Sequence, residues 1–313
     1  MNTFIRATEV WLPSPDNTLL EFGSGLYGEA NTLAATSRQL CFGRGEGLPG
    51  QAWDEGRPVL LKDFDSLHFR RSAAAKAAGL SCAIALPVLV GDALRAVLVF
   101  FCGEDQAHAG AIELWHNDPR VTSDMTLVDG YYGTTPQAFE SITRDTFLPR
   151  GVGLPGLAWQ RGASVYMDNL AQATRFLRGV DATDVGIERG LAIPCATRSN
   201  ESCVLTFLSA SGSPISRRME SWVAEPSGQS LTRVFGHCEV LGALPVAKGL
   251  IDLNVAAGAI GEAYARGVPV LSAQAAREPG EVGASAAAAG LLSLVALPVV
   301  SDGVVTETVV LYF

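Results

Sequence analysis

Charge is scarce in this chain. Only 18% of its 313 residues are Asp, Glu, Lys or Arg, and 23 basic residues against 32 acidic ones leave a net charge of −9. No basic cluster stands out, whereas a nucleic-acid groove needs many Lys and Arg to displace counterions from phosphates. Nucleic acid is therefore excluded as a partner. The six cysteines include no CxxC pair, so they form neither a disulfide framework nor a zinc signature, and reduced thiols are expected. His68, His108, His116 and His237 are the only histidines and contain no i,i+4 pair, which removes the usual helical metal-site spacing. Long apolar runs are missing too. The most apolar stretches, 80–90 and 286–300, each carry a proline and fall short of the roughly 20 residues of a membrane span. The opening MNTFIRATEV has no apolar run behind a positive region, so no signal peptide is read and a soluble, cytoplasmic protein without a membrane partner is expected.

What the chain does have is apolar residues, 48% of the total, with 33 Gly and 16 Pro. That much apolar content with so little charge excludes disorder, and the length allows two or three domains. An internal repeat decides between them. GLPGQAWDEG at 47–56 returns as GLPGLAWQRG at 153–162, an offset of 106, and more weakly as GAIGEAYARG at 258–267, a further 105 along. Upstream lie EVW, ELW and ESW, ending at Trp11, Trp115 and Trp222, which precede Trp53, Trp159 and Tyr264 by 42, 44 and 42 residues. Gly25, Gly130 and Gly236 follow the first landmark by 14, 15 and 14 residues. Downstream come GLSCAIALP, GLAIP and GLLSLVALP, and each copy closes on an apolar strand, VLVFF, VLTFL or VVLYF. A period near 105 is too long for a solenoid repeat and suits a small domain with its own core. The copies divide the chain at 1–104, 105–211 and 212–313, with net charges of −2, −4 and −3. The acidity thus marks no single binding domain.

Within the first copy, residues 8–12 and 18–22 flank Pro13-Ser-Pro-Asp-Asn17 and read as a hairpin. Residues 50–55 allow one or two helical turns, ended by Gly56 in the left-handed conformation. Residues 58–61 form a short strand, 72–78 an Ala-rich helix ended by Gly79, and 80–101 an apolar hairpin about Gly91-Asp92. Strands outnumber helices and the hairpins imply an antiparallel sheet, so the expected class is α+β, a sheet covered by short helices on one side.

The run GLPGQAW, followed by FRRSAAAKAAGLSCAIALPVLVGDALRAVLVFF, resembles the GAF domain family. The second copy matches at GLPGLAW, Asp168, Phe176 and GLAIP; the third is degenerate, with Ile260 in place of the proline and Tyr264 in place of the tryptophan. The resemblance implies three tandem GAF-like, PAS-like domains, each with about six antiparallel strands and helices that can enclose a small molecule. It also implies a sensory or regulatory role in signal transduction, through cyclic nucleotides, tetrapyrroles, haem or small metabolites. About ten residues separate Phe101 from Glu113, and a similar number Leu208 from Glu220. Fully helical, such a linker rises only about 15 Å, so the long helices that join most tandem GAF domains are not expected. No kinase, cyclase, phosphodiesterase or DNA-binding region remains after the copies are assigned, which points to signalling through a separate partner.

Residues common to all copies are read as structural: the glycines as turn and helix-end positions, and Trp11, Trp115 and Trp222 as core. Trp53 and Trp159 lie on the short helix beside the expected pocket. Residues that differ between copies are better candidates for specificity. Tyr27 and Tyr132 align with Cys238, and Asp63 and Asp168 follow the short strand. Phe69, Arg70, Phe176 and Arg178 lead into the covering helix. An Arg beside an aromatic ring can pair with a carboxylate or phosphate while the ring stacks on a planar group, although a solvated Arg whose stem covers core is the commoner outcome. The third copy has only GASAAAAG in this place, so a structural interior lined with methyl groups is expected there.

Specific GAF chemistries leave no trace. The N-K…F…D-E pattern of cyclic-nucleotide binders is absent, since Asn169 precedes Leu170, and no cysteine is followed by His or Tyr as in bilin attachment. A haem needs only one axial histidine, which leaves His68 as a candidate, with a surface role favoured. No cofactor is assigned and no metal is expected. Cys195 and Cys203, eight apart across a turn at 199–200, are the redox candidates, as in the family branch resembling free methionine-sulfoxide reductase. Two buried thiols are the simpler expectation. The sequence therefore favours a non-enzymatic sensor of an unidentified small molecule, with a protein-interaction scaffold second and a thiol enzyme third; the oligomeric state stays open.

Overall fold

The computed structural model describes residues 3–313 apart from 66–68, 104–109, 199, 211, 247–248 and 256. The chain builds three antiparallel sheets in succession. The first unit runs β1 (Ile5–Pro13), β2 (Leu19–Leu26), α1 (Asn31–Ser37), β3 (Cys41–Gly43), α2 (Gly47–Glu55), β4 (Val59–Leu61), α3 (Ser72–Ala77), β5 (Cys82–Val90) and β6 (Ala93–Cys102). The second runs β7 (Gly110–Asn117), β8 (Thr126–Tyr131), α4 (Gln137–Arg144), α5 (Gly153–Arg161), β9 (Val165–Met167), α6 (Gly179–Asp184), β10 (Arg189–Cys195) and β11 (Ser202–Ser209). The third begins with β12 (Arg218–Ala224), β13 (Ser230–Cys238), β14 (Gly242–Ala243), β15 (Leu250–Asp252) and α7 (Gly258–Arg266). It closes with β16 (Val270–Ser272), α8 (Gly280–Ala288), β17 (Leu294–Ser301) and β18 (Val304–Tyr312). The sheets have six, five and seven strands, ordered β3-β2-β1-β6-β5-β4, β8-β7-β11-β10-β9 and β14-β13-β12-β18-β17-β16, with β15 on β13. The α+β class holds: antiparallel sheets are covered by short helices.

The GLPG helix shows how local sequence enforces this arrangement. Gly56, Gly162 and Gly267 end α2, α5 and α7 with φ of 62°, 60° and 61°, a conformation that costs glycine least. Inside α2, a Cβ on Gly50 would lie 2.1 Å from the carbonyl oxygen of Gly43, so the helix can sit against that strand only through a glycine.

Side chains on a strand alternate between faces, and both faces are used. On β6, Val97, Val99 and Phe101 face the helices of the first unit, while Ala96, Leu98, Phe100 and Cys102 face a second cluster. That cluster is shared. It takes Ile193, Leu205 and Phe207 from the second sheet and Leu297, Val309 and Leu311 from the third, with Phe100 and Phe207 meeting edge to face at 5.8 Å. β5 and β17 are therefore apolar almost end to end, because neither face reaches water.

The units also close on one another sideways. β4 lies against β8 and β16 against β2, while Tyr166 of β9 contacts Phe235 and His237 of β13 at 5.3 and 5.4 Å between ring centroids. First meets second, second meets third, and third returns to first, a pseudo-threefold ring within one chain. Phe4 N–H donates to the Pro214 carbonyl at 2.8 Å and so ties the start of the first unit to the start of the third. Because the three units share one core, calorimetry is expected to show a single unfolding transition. Phe207→Ala should cost about 3–5 kcal/mol and lower that transition as a whole; melting of the second unit by itself would contradict the shared core.

Candidate functional site

Two residues apart on a strand means the same face, so the Glu of each E-x-W landmark points where its Trp points. Glu9, Glu113 and Glu220 are buried, and each accepts a hydrogen bond from the indole Nε1 of Trp11, Trp115 or Trp222 at 2.9 Å. A buried carboxylate demands further partners. In the first unit Glu9 accepts from Tyr27 OH (3.0 Å), Ser37 Oγ (2.6 Å) and Arg71 Nη1 (2.5 Å). In the second, Arg178 grips Glu113 with both nitrogens at 2.6 and 2.8 Å and donates to Thr143 Oγ1, while Tyr132 OH stands 3.4 Å away. In the third, Tyr312 OH (2.9 Å) and Arg233 Nη1 (3.2 Å) hold Glu220, with Arg218 at 3.6 Å.

Aromatic faces surround each guanidinium. Arg71 lies 5.3–5.8 Å from the ring centres of Trp11, Phe42, Phe69 and Phe101. Arg178 lies 5.1–5.5 Å from those of Trp115, Phe139 and Phe176. The ring quadrupoles stabilise the cation that the carboxylate requires. Burial, reinforced by the neighbouring carboxylates, pushes the phenols of Tyr27, Tyr132 and Tyr312 well above the ordinary tyrosine range, which keeps them hydrogen-bond donors.

These clusters occupy the space between sheet and helices where a ligand was expected. Tyr27, Trp53, Phe69, Tyr132, Phe176 and Arg178 pack into that interior. Arg70 requires a correction. It is 70% exposed and reaches Glu46 at 3.1 Å, whereas the buried arginine is Arg71, because the Phe-x-Arg spacing of Phe176 and Arg178 is matched by Phe69 and Arg71. Asp63 and Asp168 are exposed, and Asp63 accepts the Asp65 N–H in a local turn. The third unit is corrected as well: its interior holds Arg218, Arg233, Glu220 and Tyr312 rather than methyl groups alone. Its arginines come from strands, not from the covering helix, so aligning the helix could not find them. The three glutamates were missed although their recurrence before each tryptophan was visible in the sequence.

Trp159 is half-buried, with the Arg150 guanidinium 5.6 Å from its ring. It lines a cleft of about 520 Å³ at the hairpin-turn end of the ring, together with Arg161, Cys195, Cys203, Ser301 and Asp302. A second cleft, about 340 Å³ and lined by Ser164, Tyr166, Phe235 and Glu307, separates the second and third sheets. Cys195 and Cys203 are direct partners across β10 and β11, and both are free thiols. The hydrogen bond with Cys195, aided by burial, pushes the Cys203 thiol up, away from a reactive thiolate. Among the described residues no group of three His, Cys, Asp or Glu is placed to hold a metal, and no helix is long and apolar enough to cross a membrane. His68 and His108 lie outside the described residues.

Residues 7–115 match the GAF domain family. GAF domains are generally small-molecule sensing or regulatory modules, mostly without enzymatic activity. No curated protein matches the chain. Solved structures similar to part of it include the A. aeolicus nlh2 GAF domain in an inactive state, at 18% identity and a TM-score of 0.26. That likeness covers 32% of this chain and 59% of the other. An NreA protein from Staphylococcus aureus, mutated in its nitrate-binding site, gives 12%, 0.27, and coverage of 32% and 74%. Free methionine-R-sulfoxide reductase from Neisseria meningitidis with its substrate gives 16%, 0.24, and coverage of 32% and 51%. At these values the likenesses carry no argument about function.

Arg178→Met strands a buried carboxylate and should cost about 3–5 kcal/mol, while pairing it with Glu113→Gln should recover much of that loss in a denaturant titration. The raised phenols carry their own test. Their folded-state values lie above those of the unfolded chain, so their contribution is complete below pH about 10 and is lost as pH rises beyond it. In an alkaline absorbance titration, Tyr27, Tyr132 and Tyr312 should ionise only together with unfolding.

Proposed function

We propose that the chain is a non-enzymatic regulatory protein of three GAF-like units, 1–104, 105–211 and 212–313, the third degenerate, that responds to a small molecule and signals through a separate partner. The observation that carries this reading is the pair of solvent-open clefts, about 520 and 340 Å³, between the units, to which the repeated Glu-Trp-Tyr-Arg cluster directs it. One buried ion pair in each unit closes the chamber that the resemblance assigns to ligand, which leaves the clefts between units as the places of exchange with solvent. The upward shift of the buried Cys203 thiol supports the regulatory reading over a thiol reductase, and the acidic balance of every unit disfavours nucleic acid and anionic membranes.

The filled interiors favour a second reading, in which the ring is a scaffold and only its outer faces act. A melting screen against nucleotides, haem, bilins and amino-acid derivatives separates the two. A regulatory ligand at 100 times its dissociation constant should add about 2.7 kcal/mol. Hydrogen-exchange protection should then fall on 150–162 and 194–204 rather than around Arg71. No stabiliser in that screen would leave the scaffold.

A further inference from the structure

The pseudo-threefold ring is broken at one junction. Each unit ends in a hairpin whose turn rests on the glycine that terminates the GLPG-type helix of a neighbouring unit. A Cβ at Gly56 would lie 2.9 Å from Arg198 Cδ, one at Gly267 3.5 Å from Val90 Cγ2, and one at Gly162 3.8 Å from Ser301 Oγ. At two of these junctions the hairpin also delivers a guanidinium to the carbonyl end of the helix. Arg198 Nη1 reaches the Asp54 carbonyl of α2 at 3.4 Å, and Arg95 Nη2 the Arg266 carbonyl of α7 at 3.3 Å. Helix C-termini leave carbonyls unpaired and carry partial negative charge, so a cation is the natural cap.

Among the described residues the third junction has no such arginine. Strand register sets Thr306 in the place of Arg95, since Val97 stands opposite Trp11 and Thr308 opposite Trp222; in the second unit that place is Ser202, and Arg198 of the turn serves instead. The hairpin at this junction brings Val300, Ser301, Asp302 and Gly303 to the cleft of about 520 Å³ that opens beside α5, while its Glu307 accepts from the Ser164 N–H just beyond that helix at 2.7 Å. Its free charges are of both signs. Arg150 and Arg161 line it, both exposed and without an ion pair among the described residues. Glu201 is engaged by His116 and Arg120, which leaves Asp302 as the acidic group open to a ligand.

We propose that this cleft binds a cationic amino acid, a ligand whose guanidinium or ammonium group takes the place of the absent arginine against the end of α5 and Asp302, and whose carboxylate meets Arg150 and Arg161. The proposal rests on the regulatory reading above and names its ligand class. Trp159 holds the Arg150 guanidinium against its ring, 5.6 Å from the ring centre, and so fixes the cation that meets the carboxylate. Cys195, half-buried in the same cleft, reports occupancy.

The test uses the full chain with L-arginine, its neutral counterpart L-citrulline and its decarboxylated counterpart agmatine, followed by calorimetry. Arginine should bind saturably, and each counterpart at least about tenfold more weakly. Thr306→Arg restores a guanidinium to the exposed rim and should weaken arginine binding by at least about tenfold without lowering the melting temperature. Arg161→Ala should weaken arginine but not agmatine. Arginine should also slow alkylation of Cys195 but not of the exposed Cys41. Unsaturable binding, equal affinity for citrulline, or undiminished binding by the Thr306→Arg variant overturns the proposal. If another metabolite in the melting screen stabilises the chain while arginine does not, only the ligand assignment fails; if nothing stabilises it, the regulatory reading fails with it.

Discussion

A carboxylate placed in the interior next to an indole governs each unit. Left unpaired it would cost several kcal/mol, so every surrounding element is constrained to supply a donor. The first two units meet the demand alike, with a phenol two residues after a glycine on the second strand and an arginine at the start of the covering helix. The third meets it differently, with Tyr312 from its last strand and arginines from β12 and β13. The requirement is retained while the residues that satisfy it have moved. Electrostatic necessity, rather than any one side chain, is what the repeats share.

Much of the architecture was legible because it is written in backbone chemistry. A left-handed glycine at the end of a short helix recurs in all three units, and a glycine that must pass a carbonyl recurs at Gly50 and Gly156, marks that return at a fixed period. The interior was less legible. Glu9, Glu113 and Glu220 look like ordinary strand glutamates, and only the Trp beside each drew notice, since an aromatic on a strand has a ready explanation and a carboxylate does not. Arg70 and Arg71 are adjacent, and nothing in the sequence says which of them turns inward; the backbone decides. The arginines of the third unit escaped because function was sought on the helix equivalent to that of the first two, whereas the chain had placed its cations on strands.

The high apolar content has two sources. Three small interiors account for part of it, and the shared cluster on the axis accounts for the rest, which is why β5 and β17 lack the alternation expected of half-exposed strands. Where β4 meets β8, two strand edges that would otherwise invite pairing with other chains are brought against each other. The ring is held by apolar contact on its axis and by polar contacts at its rim, so a change at one hairpin turn can be felt at the junction beside it.

The shared axis also constrains the order of synthesis. The first sheet emerges from the ribosome with its axial face formed and its partners not yet made. Ile84, Leu98 and Phe100 stay uncovered until the second unit arrives, and the axis closes only when β17 and β18 add Leu297, Val309 and Leu311. Throughout that interval the nascent chain presents a broad apolar sheet face, the kind of surface that chaperones hold and that aggregation exploits. A lesion late in the chain, between 294 and 312, would therefore expose the earliest sheet as well as the last.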